Sequence, residues 1–354
     1  MGFGYSTTVF GEIVFNTGMV GYTEALTDPS YNGQILTLTY PLVGNYGIPD
    51  LDAVDEDGIS KFFESDMMQI RGLVIHELSQ TASHWNLKMT LDEWMFNEKV
   101  PGISGIDTRA ITKKLTSSGV MMAALVVSDE EIDTEKIKNE LASITTYTSE
   151  KFMDTVSTKE EKIYGTENQS VVVIDTGAKN AIVRNVRELG YKAIVVPWNT
   201  PYEKVMSYNP KGVVLSSGPG DPQNCPDTID TAKKLIENNV PTLGICLGAQ
   251  IIGIAGNTET YKLKYGHRGQ NKPCVNLETN QVFVTSQNHG YGIKPESLEK
   301  SDFKLWFANA DDDTVEGIKH KTQSCIAVQF HPEAAPGPFD CKYVFDELKK
   351  LMEK

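Results

Sequence analysis

The sequence predicts an α/β protein. Its C-terminal domain is expected to carry a mostly parallel or mixed sheet flanked by helices, preceded by a β-rich α+β N-terminal domain. Two observations carry this. From Ser170 onward, short apolar runs such as Val171-Val-Val-Ile174, Ala193-Ile-Val-Val196 and Gly212-Val-Val-Leu215 alternate with helical segments. That is the pattern of parallel strands covered on both faces. Before residue 148 the text is rich in strands and turns, and the stretch from 149 to 169 is polar and charged, as in Ser157-Thr-Lys-Glu-Glu-Lys162. The expected division is therefore residues 1–148, a linker over 149–169, and residues 170–354. A chain of this length can bury two cores.

In the N-terminal part, Glu12–Asn16, Gln34–Tyr40, Gly72–Leu78 and Met121–Val127 read as strands. Thr27-Asp-Pro-Ser30-Tyr31-Asn-Gly33 between the first two is a dense turn signal. Leu91–Lys99 reads as a short amphipathic helix, and a second helix starts at Asp107 and ends near Gly119. In the C-terminal part, helices are expected over Lys179–Leu189, Tyr202–Met206 and Thr228–Glu237, each between two apolar strands.

Composition narrows the classes of function. A formal charge of −14 offers no basic excess to neutralise phosphates, so no nucleic-acid partner is expected. Neither a basic run, an apolar stretch of membrane-spanning length, nor a charged leader is visible. The five cysteines are odd in number and lack a Cys-x-x-Cys pair, which points to a reducing cytoplasm without a disulfide framework. Six scattered histidines show no His-x-x-x-His spacing, so no metal site is expected on local grounds.

The stretch with chemical character is Val240-Pro-Thr-Leu-Gly244-Ile-Cys246-Leu-Gly248-Ala-Gln250. It reads as a buried strand, a sharp turn and an immediate helix, with glycines two residues to either side of Cys246. The pattern fits the sulfur version of a nucleophile elbow and, equally, a buried structural cysteine after a core strand. The helix N-terminus there favours a thiolate. A base is available in Val328-Gln-Phe-His331-Pro-Glu333: in extended backbone residues i and i+2 share a face, so Glu333 can orient the His331 ring. His289, in Ser286-Gln-Asn-His289-Gly290, is the competing base. The loop Ser217-Gly218-Pro-Gly220, with the N–H of Leu247, supplies candidate oxyanion donors.

Gly-Ile-Cys246-Leu-Gly-x-Gln250, the Gly218-Pro-Gly220 loop and the late His331-Pro-Glu333 occur in the order found in class I, triad-type glutamine amidotransferases, which the C-terminal half resembles. The N-terminal half narrows this. Phe15-Asn-Thr-Gly-Met-Val-Gly-Tyr-Thr-Glu24, Leu26-Thr-Asp-Pro-Ser-Tyr31, Tyr40-Pro-Leu-Val-Gly-Asn45 and Gly102-Ile-Ser-Gly-Ile-Asp-Thr-Arg-Ala-Ile-Thr112 are similar to the carbamoyl phosphate synthase small-subunit family. Gly266-His-Arg-Gly-Gln-Asn271 and Ser286–Gly290 match as well, so the resemblance spans essentially the whole chain.

The resemblance implies a glutaminase subunit. Cys246 would form a glutamyl thioester, with His331 shuttling protons and Glu333 orienting it. Glutamine would be recognised by Ser30, Gly218, Gly220, Leu247, Gln250, Asn288, Gly290 and Tyr291. With Ser30 among them, the resemblance places the site near the domain interface. The subunit itself would need no cofactor or metal. Its ammonia would pass through a tunnel to a large subunit that uses bicarbonate and two ATP with Mg, making carbamoyl phosphate for arginine and pyrimidine synthesis in a cytoplasmic heterodimer. Two departures stand out. Ala249 occupies a position that is often His in the family, and a strand that usually precedes the Phe3-Gly4 segment is not seen, which would leave a sheet edge open.

Overall fold

A computed structural model describes the whole chain, Met1–Lys354. The chain forms two compact units, Met1–Asp55 with Ser60–Glu150, and Glu56–Ile59 with Lys151–Lys354.

The first unit contains strands β1 (Gly2–Gly4), β2 (Thr8–Asn16), β3 (Gln34–Leu38), β4 (Leu42–Val43), β5 (Gly72–Val74), β6 (Glu77–Leu78), β7 (Pro101–Ile103) and β8 (Met121–Val126). Six of them make a mixed sheet in the order β1-β7-β5-β3-β2-β8, while β4 and β6 pair separately. The strand containing Phe3 is thus an edge strand. β7, β5, β3 and β2 run parallel, and the antiparallel β1 and β8 close the two edges. Leu36, Leu73, Trp94 and Met95 lie in its core.

Local chemistry sets the helices of this unit. Thr90 and Glu93 cap helix Leu91–Asn97 reciprocally, the Thr90 N–H donating to Glu93 Oε2 at 2.8 Å and the Glu93 N–H to Thr90 Oγ1 at 3.2 Å. Asp107 caps helix Thr108–Ser118, which ends at Gly119 with φ 87°. The expected turn after Thr27 is a 3₁₀ turn, Pro29–Tyr31, in which the Ser30 N–H donates to Asp28 Oδ1 at 2.9 Å. Helices Tyr22–Thr27 and Thr134–Ser143 are additions to the sequence-based expectation.

The second unit is built on one ten-stranded sheet. Its strands are β9 (Lys162–Tyr164), β10 (Ser170–Asp175), β11 (Lys192–Pro197), β12 (Gly212–Leu215), β13 (Thr242–Ile245), β14 (Thr260–Asn276), β15 (Gln281–Ile293), β16 (Phe303–Asn309), β17 (Val315–His320) and β18 (Cys325–Val328). Their order is β15-β14-β16-β17-β18-β13-β12-β10-β11-β9. The five strands from β18 to β11 run parallel, and antiparallel strands extend both sides. Helices Asn180–Glu188, Tyr202–Ser207 and Pro226–Glu237 link the parallel strands, as the alternation predicts. The stretch 149–169, read as the interdomain connection, holds helix Met153–Val156 and the edge strand β9 paired with β11. Residues 56–59 join this unit through Asp57, which accepts from Arg187 Nε at 2.8 Å, and through the buried Ile59. No helix in the chain is long and apolar enough to cross a membrane.

Candidate active site

Cys246 sits where β13 ends and helix Leu247–Ala255 begins, with φ 53° and ψ −104°. A non-glycine residue in that region is strained, and such strain is found where a side chain must be presented in a fixed direction. The flanking glycines are demanded by crowding. A Cβ on Gly248 would lie 2.2 Å from Leu215 O, and one on Gly244 would lie 2.7 Å from Gly248 O. The turn is pinned by the Cys246 N–H donating to Val328 O at 2.9 Å and the Gly248 N–H donating to Ser216 O at 3.0 Å. It therefore stands at the carboxyl ends of three adjacent parallel strands, β12, β13 and β18, where open α/β sheets place their sites.

The Gly218-Pro-Gly220 loop follows β12. A Cβ on Gly218 would fall 1.9 Å from Thr176 O and 2.9 Å from Leu247 Cδ2, so only glycine lets this loop lie against the start of the Cys246 helix. Ser216 locks the neighbouring turn: it takes the Thr176 N–H on Oγ at 3.0 Å and the Thr176 hydroxyl on its carbonyl at 3.0 Å. Leu247 is the first residue of its helix, so its N–H has no intrahelical acceptor. Gly220 has φ 92° and packs on Phe152, which a Cβ would approach to 2.9 Å.

His331 follows β18, and its N–H donates to Ser286 O of β15 at 2.9 Å. Its Nδ1 lies 2.6 Å from Glu333 Oε1, and both side chains are buried. Behind them is Lys179, whose Nζ lies 3.2 Å from the same Glu333 oxygen and also donates to Ala334 O. Lys179 is placed by the turn after β10, where Asp175 accepts from the N–H groups of Gly177 at 2.9 Å and Ala178 at 2.7 Å. Burial opposes charge on Glu333, but Lys179 and then His331 outweigh it and hold its carboxyl well below the usual range. Burial likewise opposes charge on His331, yet Glu333, with a smaller contribution from Cys246, raises its proton affinity well above the ordinary imidazole value. The arrangement favours an imidazolium beside the cysteine sulfur.

β15 supplies the opposite wall. The Cys246 thiol donates to Asn288 O at 3.6 Å. Gln250 Nε2 donates to Tyr291 O at 2.9 Å and to Gln329 Oε1 at 3.1 Å. Gly290 lies between Asn288 and Tyr291 on the same strand. Ser30 belongs to the first unit, where its buried Oγ has no hydrogen-bond partner.

His289, the competing base, is engaged elsewhere: Nδ1 faces Tyr291 O at 2.7 Å and Nε2 faces Gln287 Oε1 at 3.1 Å. Burial first, and then neighbouring His267, push its proton affinity well below the ordinary value, so it is held neutral. The remaining cysteines are buried thiols; burial raises Cys225 and Cys341 to about 12 and lifts Cys274 and Cys325 further. Lys179 and Gln329 are the residues that sequence reasoning misses. Lys179 reads in the sequence only as a helix start, although it follows a parallel strand directly at the sheet's functional end. Gln329 is the first residue after β18 and lies two residues before His331.

Residues 172–351 match the glutamine amidotransferase class-I family, and residues 1–125 match the carbamoyl-phosphate synthase small chain, CPSase domain. The chain is 46% identical over 354 residues to the carbamoyl phosphate synthase small chain of Pyrococcus furiosus, covering 99% of this chain and 94% of that one. It is 42% identical to the small chain of Sulfurisphaera tokodaii, covering 100% of this chain and 93% of that one. To the small chain of Fusobacterium nucleatum it is 44% identical, covering 99% and 94%. With an amidotransferase cysteine turn in one unit and the small-chain sequence in the other, the chain belongs to the carbamoyl phosphate synthase small-chain family, as its glutamine amidotransferase subunit.

Proposed function

We propose that the chain hydrolyses L-glutamine through a Cys246 glutamyl thioester and delivers the ammonia to a large subunit for carbamoyl phosphate synthesis. The observation that carries this reading is the strained Cys246 turn with His331, Glu333 and Lys179 arrayed behind it. The sulfur attacks the side-chain amide carbon, forming a C–S bond while the carbonyl electrons move to oxygen. The N–H of Leu247 and the Gly218 loop are suited to receive that oxyanion. His331 gives its proton to the departing nitrogen, the C–N bond breaks, and ammonia leaves. The neutral imidazole then takes a proton from water as it adds to the thioester, and collapse expels the thiolate and glutamate. Glu333 keeps the imidazole oriented and stabilises its charged form.

Glutamine is read by Gly218, Gly220, Leu247, Asn288, Gly290 and Tyr291. Gln250 has both N–H groups engaged within the protein, so its part in recognition falls to Oε1 or to supporting β15. The partner is a large subunit that consumes bicarbonate and two ATP with Mg, and the heterodimer feeds arginine and pyrimidine synthesis in the cytoplasm.

The test is Cys246→Ser in the complex with a large subunit. Glutamine-driven carbamoyl phosphate formation is expected to vanish while the ammonia-driven reaction persists. Retention of glutamine-driven activity would remove Cys246 from the nucleophile's role.

A further inference from the structure

We infer that Gln329 is a positioning residue for the nucleophile: its side-chain amide, held in one orientation by Gln250, donates an N–H to Cys246 Sγ and supports the thiolate. This rests on the reading of Cys246 as the reactive group.

The orientation follows from a chain of donors and acceptors that starts at an unambiguous group. Tyr291 O is a backbone carbonyl and can only accept. Gln250, 2.9 Å away, must therefore present its amide nitrogen to it. The second N–H of that nitrogen meets Gln329 at 3.1 Å, so the Gln329 atom there is the carbonyl Oε1. The Gln329 nitrogen is left on the other side, 3.6 Å from Cys246 Sγ. Gln329 is buried, and its backbone N–H donates to Glu316 O at 2.8 Å, which fixes the stem.

The sulfur has two neighbours of opposite character. Asn288 O accepts from the S–H and repels the thiolate once that proton has gone. The Gln329 N–H is favourable to both forms and stronger towards the anion, because charge-assisted hydrogen bonds are roughly twice as strong as neutral ones. Ionisation therefore shifts the sulfur's bonding from β15 towards Gln329. The titratable groups around the sulfur are His331 and, behind it, Glu333 and Lys179. The Gln329 side chain meets Gln250 and Cys246, so its contribution is read at the sulfur.

The experiment is alkylation of the full chain by iodoacetamide across a pH series, with modification at Cys246 followed by peptide mass. Cys246→Ser supplies the background from the other four cysteines. In Gln329→Met, alkylation near neutral pH is expected to slow about tenfold, the equivalent of a profile moved about one pH unit towards alkaline. Gln329→Glu, which swaps the donor for an acceptor, is expected to slow it further. Gln250→Met frees the Gln329 amide to turn, so it should shift the profile in the same direction by less. Combining Gln250→Met with Gln329→Met should add nothing to Gln329→Met alone. A Gln329→Met profile superimposable on wild type, in a chain with unchanged Tm, overturns the inference. If Gln329→Met does not fold, the Gln250→Met profile decides by the same criterion. Because alkylation reads the thiol without glutamine turnover, failure here is distinct from failure of the nucleophile assignment, which Cys246→Ser tests on glutamine-driven synthesis.

Discussion

Lys179 Nζ lies 3.2 Å from Glu333 Oε1, the same oxygen that stands 2.6 Å from His331 Nδ1. One carboxylate atom thus faces two cations in a site closed to water. Taking either cation away leaves Glu333 with less compensation than its burial requires.

Lys179→Met is accordingly expected to destabilise the second unit by about 3 to 5 kcal/mol, the range for breaking a buried ion pair on one side. Urea unfolding followed by tryptophan fluorescence measures it. The double variant Lys179→Met/Glu333→Gln should recover part of that loss, since the carboxylate that needed a partner is gone. Glutaminase activity should not recover with it, because a neutral amide in place of the Glu333 carboxylate cannot stabilise a charged imidazole.

The pH dependence follows from the directions of the two shifts. Glu333 is depressed in the folded state, so its contribution is present above its unfolded value of about 4.3 and lost as pH falls through the lower folded one. His331 is raised, so its contribution is complete below its unfolded value of about 6.5 and lost as pH rises towards the higher folded one. Both contributions are complete only between those two unfolded values. The stability difference between wild type and His331→Gln should therefore be largest there and shrink steadily on the alkaline side. Chemical denaturation at a series of pH values checks it; a difference that grows with alkalinity would contradict the assignment.

Two glycines provide a matched comparison. Gly190 has φ 89° with nothing within 4 Å of a built Cβ, so Gly190→Ala meets only backbone strain of about 1 to 2 kcal/mol. Gly248→Ala instead drives a Cβ to 2.2 Å from Leu215 O, a backbone atom that cannot step aside. It is expected to cost more than about 3 kcal/mol, beyond the usual overpacking range, and to abolish glutaminase activity. Thermal unfolding and glutamate release distinguish the two.

Arg187 ties Asp57 at 2.8 Å while also pairing with Glu167 and donating to Tyr191 O at 2.7 Å. Arg187→Met should loosen residues 56–59. Limited proteolysis is expected to cut there about tenfold faster, equal to about 1.4 kcal/mol of easier local opening.

The sequence exposes those features whose cause is local. The Cys246 turn is legible because crowding at Gly244 and Gly248 leaves a spacing in the chain itself. The His331–Glu333 pair is legible because the two lie only two residues apart, although in place of the expected extended backbone they sit in a turn where the Ala334 N–H donates to His331 O at 3.2 Å. The helix start at Asp107 is read from capping chemistry within four residues. What stays hidden depends on distant partners. Lys179 meets Glu333 across 154 positions, and Gln329 meets Cys246 across 83. The long strands β14 and β15 are hard to read because Gly266, Gly269 and Pro273 interrupt the alternation and register shifts fall between Lys262 and His267 and between Gly269 and Lys272. Helix Thr134–Ser143 has no buried residue, so little apolar periodicity marks it.

Three carbonyls of β15 reach the site: Ser286 O holds the His331 backbone, Asn288 O meets the Cys246 thiol, and Tyr291 O holds Gln250. The strand acts as a shared datum for His331, the Cys246 sulfur and the Gln250 amide. A displacement of β15 carries all three reference points in common, so small motions of the strand cancel in the spacing between them. Distortions within the strand do not cancel, and a kink between Ser286 and Tyr291 would detune the site while every residue in it remained present.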